Sequence, residues 1–150
     1  VDMMNRIILE AEGDEAYQAS TTSKQNVVEP TVSDAITLAA RQVAETVNAN
    51  CIVTYTTSGS TTLRAARERP TVPILCVTSS LSTARRMAIA WGIHSVHIDQ
   101  EERFSTVVKR AVDIAETQGF ASSGDHIVIT AGVPMGKSGS TNVLRIERIP

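Results

Sequence analysis

Aromatic residues are scarce: one tryptophan, two tyrosines and two phenylalanines among 150 residues, so the core must be aliphatic. Cysteine is rarer still. Cys51 and Cys76 sit in apolar runs without metal-type spacing, and read as reduced core thiols of a cytoplasmic protein rather than a disulfide. No apolar stretch approaches the ~18 residues of a membrane span. Arg6, Glu10 and Glu12 interrupt the N-terminal apolar residues, which is unlike a signal peptide. An excess of one charge is missing too. A net charge of −2 argues against a surface for nucleic acid or for an anionic membrane. His94, His97 and His126 form no metal spacing, and no Ser-His-Asp order or paired-carboxylate pattern stands out. The composition is that of a globular chain long enough for one proper core.

What is present is a regular alternation. Val1, Met4, Ile8 and Ala11 share one helical face over the first twelve residues. A polar stretch from Gly13 to Pro30 then reads as a linker, because it carries too few apolar side chains to offset the entropy of ordering. A lone amphipathic helix before a linker is expected to cover its apolar face on another body. Residues 1–30 are therefore set apart from a domain over 31–150.

Within that domain, Val32, Ile36, Ala39, Val43 and Val47 predict a helix capped by Thr31 or Ser33. Strands are expected at Cys51–Tyr55, Val72–Val77, Ser95–Ile98 and His126–Thr130. The helices between them are one ended by Pro70, one around Ser82–Ala90, and one marked by Phe104, Val108, Ala111 and Ala115. Val143–Ile149 alternates and reads as an antiparallel edge strand. Strands alternating with helices give a three-layer α/β/α sandwich on a five-stranded, mostly parallel sheet with one antiparallel edge strand. Ligands in such folds bind outside the carboxyl ends of the strands.

Thr56-Thr57-Ser58-Gly59-Ser60-Thr61-Thr62 falls at such an end, and six of its seven residues carry hydroxyls. Set between a strand and a helix, it would combine free backbone N–H groups, Ser/Thr donors and the positive end of a helix dipole, the chemistry of a phosphate site. The plainer alternative is helix capping alone, for which one hydroxyl suffices. A second loop, Ala131–Asn142, falls at another strand end. Its Gly132-Val133-Pro134-Met135-Gly136-Lys137-Ser138 has the look of a phosphate-binding P-loop. Ala131 occupies the required first glycine, however, and a strand rather than a helix is expected to follow. It reads instead as a glycine-rich loop whose Lys137 either closes over an anion or is merely solvated. Arg64, Arg67, Arg69, Arg85 and Arg86 are further candidate anion contacts, and Trp91 reads as a core plug after a helix.

Several segments together resemble the C-terminal domain of pyruvate kinase, over about Thr31–Ile149. They are Thr56-Thr57-Ser58-Gly59, Arg69-Pro70 with Pro73-Ile74, Thr83-Ala84-Arg85-Arg86, Trp91-Gly92-Ile93, Gly124-Asp125, and Gly132-Val133-Pro134 with Gly139-Ser140-Thr141-Asn142. Met3-Met4-Asn5-Arg6-Ile7-Ile8 with Glu10-Ala11-Glu12 resembles the last helix of that family's catalytic barrel.

The resemblance implies a family that transfers phosphoryl from phosphoenolpyruvate to ADP, with Mg²⁺ and K⁺ held in a β/α barrel. The 150 residues do not include that barrel. They are expected to be inactive alone, to hold no cofactor of their own, and to dock on their own barrel within a tetramer. The resemblance also implies a phosphorylated effector at Thr56, Thr57, Ser58, Gly59, Ser60 and Thr61, with the loop of Gly136, Lys137, Ser138, Gly139 and Ser140 folding over it. Members that respond to fructose 1,6-bisphosphate hold the second phosphate with a tryptophan and an arginine. Here Asp99–Val108 has no tryptophan, the arginine's place falls near Val107, and Arg103 is poorly spaced to replace it. Thr57 stands where some mammalian forms have lysine. Both departures favour a monophosphate such as AMP or a sugar phosphate. The alternative is a structural tetramer-interface module with no effector response.

Overall fold

The structure, a computed structural model, describes residues 1–17, 30–101, 103–137 and 139–150. Helix α1 (Asp2–Gly13) comes first, and the next described helix is α2 (Val32–Thr46). Thr31 caps α2, its hydroxyl accepting the Asp34 N–H at 3.2 Å. There follow β1 (Cys51–Tyr55), α3 (Ser60–Arg67), β2 (Ile74–Thr78), α4 (Leu81–Met87) and β3 (Ile93–His97). The chain ends with α5 (Phe104–Thr117), β4 (His126–Gly132) and β5 (Thr141–Arg148).

The strands lie in the order β3-β2-β1-β4-β5, all parallel except β5, which runs antiparallel to β4. Central positions are apolar on both faces, as a sheet covered twice requires. Cys51, Val53, Leu75, Ile127 and Ile129 pack beneath Val107, Ala111 and Ala115 of α5. On the opposite face, Ile52 and Val128 meet Ala40 and Ala44 of α2, and Ile74 meets Ala65 and Ala66 of α3. The alanines let these helices lie close to the sheet. Ile52, Ile74, Ile127 and Ile129 are almost wholly buried, each contributing roughly 1.5–3 kcal/mol of apolar transfer.

The winding places the functional end. From β1 the chain steps outward through α3, β2 and α4 to β3 on one face, then returns under the other face through α5 to β4, on the far side of β1. The strand order therefore changes direction between β1 and β4. The cleft beyond their carboxyl ends is the topological switch point, where α/β sheets bind ligands.

The structure bears out the free, buried cysteines and adjusts other expectations. Cys51 and Cys76 are free and point to opposite faces of the sheet, so they cannot meet. Burial pushes the Cys51 thiol up to about 12. Helix α4 stops at Met87, β3 begins at Ile93, and β5 begins at Thr141, where it already pairs with Gly132. Trp91 is not a core plug. It is half-buried outside the sheet, its indole N–H donates to Glu12 Oε1 of α1 at 2.6 Å, and the Arg69 guanidinium lies over its ring at 4.3 Å. An indole N–H needs an acceptor, which an all-apolar core would deny it.

Of the expected linker, residues 18–29 lie outside the described residues. Glu15–Tyr17 coil helically behind Asp14, whose Oδ1 accepts the N–H of Ala16 at 2.8 Å. Helix α1 buries no residue against the domain, and Met3, Met4, Ile7 and Leu9 are each more than half exposed.

Candidate functional site

The hydroxyl turn leaves β1 at Thr56 and enters α3 at Ser60. Gly59 makes the bend at φ +85°, where a side chain would be strained, and its N–H donates to Thr56 Oγ1 at 3.0 Å. Behind it, Thr62 Oγ1 and Thr54 Oγ1 share a buried hydrogen bond of 2.7 Å, which ties the first turn of α3 to β1. The helix leaves its first N–H groups without intrahelical partners and adds the positive end of its dipole.

The second wall comes from the β4–β5 connection. Asn142 braces its base, donating from Nδ2 to the Val133 carbonyl at 2.7 Å and accepting the Val133 N–H at 2.9 Å. At Gly132 a Cβ would stand 2.6 Å from Ser140 Oγ, so only glycine lets the two arms of the loop approach. Ser140 Oγ donates to the Lys137 carbonyl at 2.8 Å. From α2, Ser33 Oγ donates to the Gly139 carbonyl at 3.0 Å. The two walls are joined where Thr61 and Thr141 share a buried hydrogen bond of 2.5 Å.

Together they enclose a polar cleft of about 20 Å³. Of the expected site residues, Thr56, Thr57, Thr61, Gly136, Lys137, Gly139 and Ser140 line it. Ser58, Gly59 and Ser60 do not. Ser58 and Ser60 hydroxyls bond each other at 3.2 Å, and Gly59 backs onto Met87 and Thr83. Ser138 lies outside the described residues. Tyr55, Gly132 and Thr141 also line the cleft and were not among the expected site residues, although Tyr55 precedes the hydroxyl turn and the other two lie within the Ala131–Asn142 loop. Lys137 is the one cation among the described lining residues. The enclosed volume matches a single water-sized group.

The arginines divide. Arg64 Nε and Arg67 Nη2 reach the fully buried Asp34 carboxylate at 2.9 and 3.1 Å, and Arg67 also pairs with Glu68. Burial alone would lower the proton affinity of the Arg67 guanidinium, but Asp34 and Glu68 outweigh it and hold it above its ordinary value. These two arginines are structural. Arg69 is taken by Trp91, Arg85 is exposed, and Arg86 Nη2 donates to the Ser58 carbonyl. Arg103 is exposed at the N-cap of α5 and does not line the cleft.

A roomier cavity of about 200 Å³ lies at the other end of the sheet, lined by Glu12, Tyr17, Arg41, Arg69 and Trp91 among others. Its Arg69 stacks on Trp91 and its Glu12 adds negative charge, so it suits an anion less well. Among the described residues no three His, Cys, Asp or Glu side chains converge as a metal-binding group. No helix among them is long and apolar enough to cross a membrane.

Comparison with known proteins bears on the same residues. Pyruvate kinase of Methylorubrum extorquens is 39% identical over 97% of this chain and 30% of its own length. That of Clostridium acetobutylicum is 33% identical over 98% of this chain and 31% of its own. The crystal structure of Cryptosporidium parvum pyruvate kinase superposes with a TM-score of 0.71 at 26% identity, covering 81% of this chain and 23% of that one. The chain thus spans about 30% of the length of these curated relatives. The family model described as pyruvate kinase, alpha/beta domain, matches residues 34–147, both walls of the cleft included. On that match the chain belongs to the pyruvate kinase family.

Proposed function

We propose that the cleft between the hydroxyl turn and the 133–140 loop binds the phosphate of a small effector, and that the domain serves a pyruvate kinase as its regulatory and assembly unit. One observation carries this reading: hydroxyls, the first turn of α3 and Lys137 converge at the topological switch point. The parent reaction would be phosphoryl transfer between phosphoenolpyruvate and ADP in the cytoplasm. Its Mg²⁺ and K⁺ would be held in a barrel that also docks the domain within a tetramer, and turnover would not arise in this cleft.

A monophosphate suits the cleft better than a bisphosphate. Lys137 is its one described cation, and no described residue of 99–108 lines it. A second anchor for a distal phosphate is therefore lacking among the described residues. AMP and ribose 5-phosphate are the first candidates.

A purely structural module is favoured by one feature, the small volume of the cleft. Thermal shift against AMP, ribose 5-phosphate, glucose 6-phosphate, fructose 1,6-bisphosphate and inorganic phosphate separates the readings. Ligand at 100 times its Kd adds about 2.7 kcal/mol of stability. A shift with a monophosphate supports the effector site. No shift with any of the five leaves the structural module.

A further inference from the structure

Thr83, Arg86 and Met87 stand at i, i+3 and i+4 on α4, and so share one face. All three bear on the hydroxyl turn from the side away from the cleft. Thr83 Oγ1 donates to the Thr57 carbonyl at 2.9 Å, and Arg86 Nη2 donates to the next carbonyl, that of Ser58. The Met87 Sδ and Cε lie 3.0 Å from where a Cβ on Gly59 would be. None of the three lines the cleft.

A trans peptide points its C=O and N–H in opposite directions. Holding the Thr57 carbonyl toward α4 therefore turns the Ser58 N–H the other way. Holding the Ser58 carbonyl does the same for the Gly59 N–H, which Thr56 Oγ1 then accepts. If the first peptide flipped, the carbonyl oxygen of Thr57, itself a lining residue, would turn toward the cleft, and an anion would be repelled.

We propose that Thr83 and Arg86 are positioning residues for the anion site: by holding two successive carbonyls against α4 they set the phosphate affinity of the turn without touching the ligand. The inference rests on the phosphate reading above. It makes α4 the element through which a change elsewhere in the domain reaches the site.

The test uses the full chain, with nuclear magnetic resonance of the Ser58 and Gly59 amides and a titration with inorganic phosphate. Arg86→Gln should displace both amide resonances, speed their hydrogen exchange and weaken phosphate about tenfold, the scale of one charge-assisted hydrogen bond. Thr83→Val should act in the same direction by about threefold, as a neutral bond would. Arg86→Lys should restore most of the affinity. Arg85→Gln removes the same charge from the same helix without touching the turn, and should change affinity by less than about twofold.

Undisplaced turn amides in both Arg86→Gln and Thr83→Val overturn the proposal. An equal loss in Arg85→Gln overturns it as well, because general charge would then be the cause. If the unmodified chain binds no phosphate, the binding reading falls by itself. Displaced amides in Arg86→Gln would still support the clamp, and undisplaced ones would overturn it.

Discussion

Where β1 and β4 leave the sheet, hydroxyls, glycines and one lysine crowd around about 20 Å³; where β2 and β3 enter it, Trp91, Arg69 and Glu12 border about 200 Å³. The smaller space is the better candidate site, since its donors are fixed from several directions. α4 holds the carbonyls of the turn, β1 holds Thr62, Asn142 holds the base of the loop, and Ser33 holds its far arm. At the entry end the described ties of α1 are few, and most of its apolar side chains face outward. Preorganised donors, rather than volume, mark the place where an anion would be bound tightly.

The largest expected effect breaks the crowded end outright. Gly59→Val places a β-branched side chain at φ +85° and its Cβ 3.0 Å from Met87. Strain and overpacking together should cost about 3 kcal/mol of stability, with phosphate binding lost, as read by denaturant melts and titration. Retained binding in Gly59→Val would show that the turn need not have this shape.

The second test separates lining from backing residues. Thr61→Val removes a hydroxyl from the cleft and leaves Thr141 Oγ1 without its 2.5 Å partner. Phosphate affinity should fall about tenfold, with about 1 kcal/mol of stability lost. Ser58→Ala should change affinity much less, since its hydroxyl faces Ser60 instead. Equal losses in a calorimetric titration would place the ligand on the α4 side of the turn.

The two cysteines carry the comparison into the sheet. Cys51 opens β1 at the entry end, and burial alone raises its thiol from 9.0 to about 12. Cys76 lies under α3, where burial also raises it but Thr62 and Thr54 bond its sulfur and draw it partly back. A folded-state value above the unfolded one favours the neutral thiol, so this contribution is complete below about pH 9 and is lost as pH rises toward 12. By pH 10 the loss from Cys51 should be about 1.4 kcal/mol, one unit of displacement. Melting from pH 8 to pH 10 should show it, and Cys51→Ala should flatten that slope more than Cys76→Ala does.

The periodic parts of the fold were legible because they are local. Ile36, Ala39 and Val43 mark a helix and Ile74-Leu75-Cys76-Val77 a buried strand by spacing alone, and the hydroxyl turn stands out by composition alone. The bracing of the site was not legible. Ser33 reaches Gly139, Thr61 meets Thr141 and Thr83 holds Thr57 across 106, 80 and 26 residues respectively, pairings that the sheet topology makes and no spacing rule encodes. The arginines misled for the same reason: Arg64 and Arg67 look free in sequence, and only folding brings the buried Asp34 between them.

The smallest effect is expected at the entry end, and it sharpens the contrast most. Trp91 is the one tryptophan of the chain, so its fluorescence reports this end alone. Trp91→Phe deletes the 2.6 Å hydrogen bond to Glu12 and weakens the contact with Arg69, while leaving a ring of similar shape. A half-buried contact of this kind at the edge of the fold stabilises by about 1 kcal/mol, so the melting point of the sheet domain should barely move. Hydrogen exchange over α1 should nevertheless accelerate severalfold, because that helix buries no residue of its own. Phosphate affinity should stay unchanged if the two ends act independently. A loss of affinity in Trp91→Phe would instead mean that α4, which lies between Trp91 and the hydroxyl turn, transmits between them. The α1 contact would then bias the turn through Arg86 and Thr83.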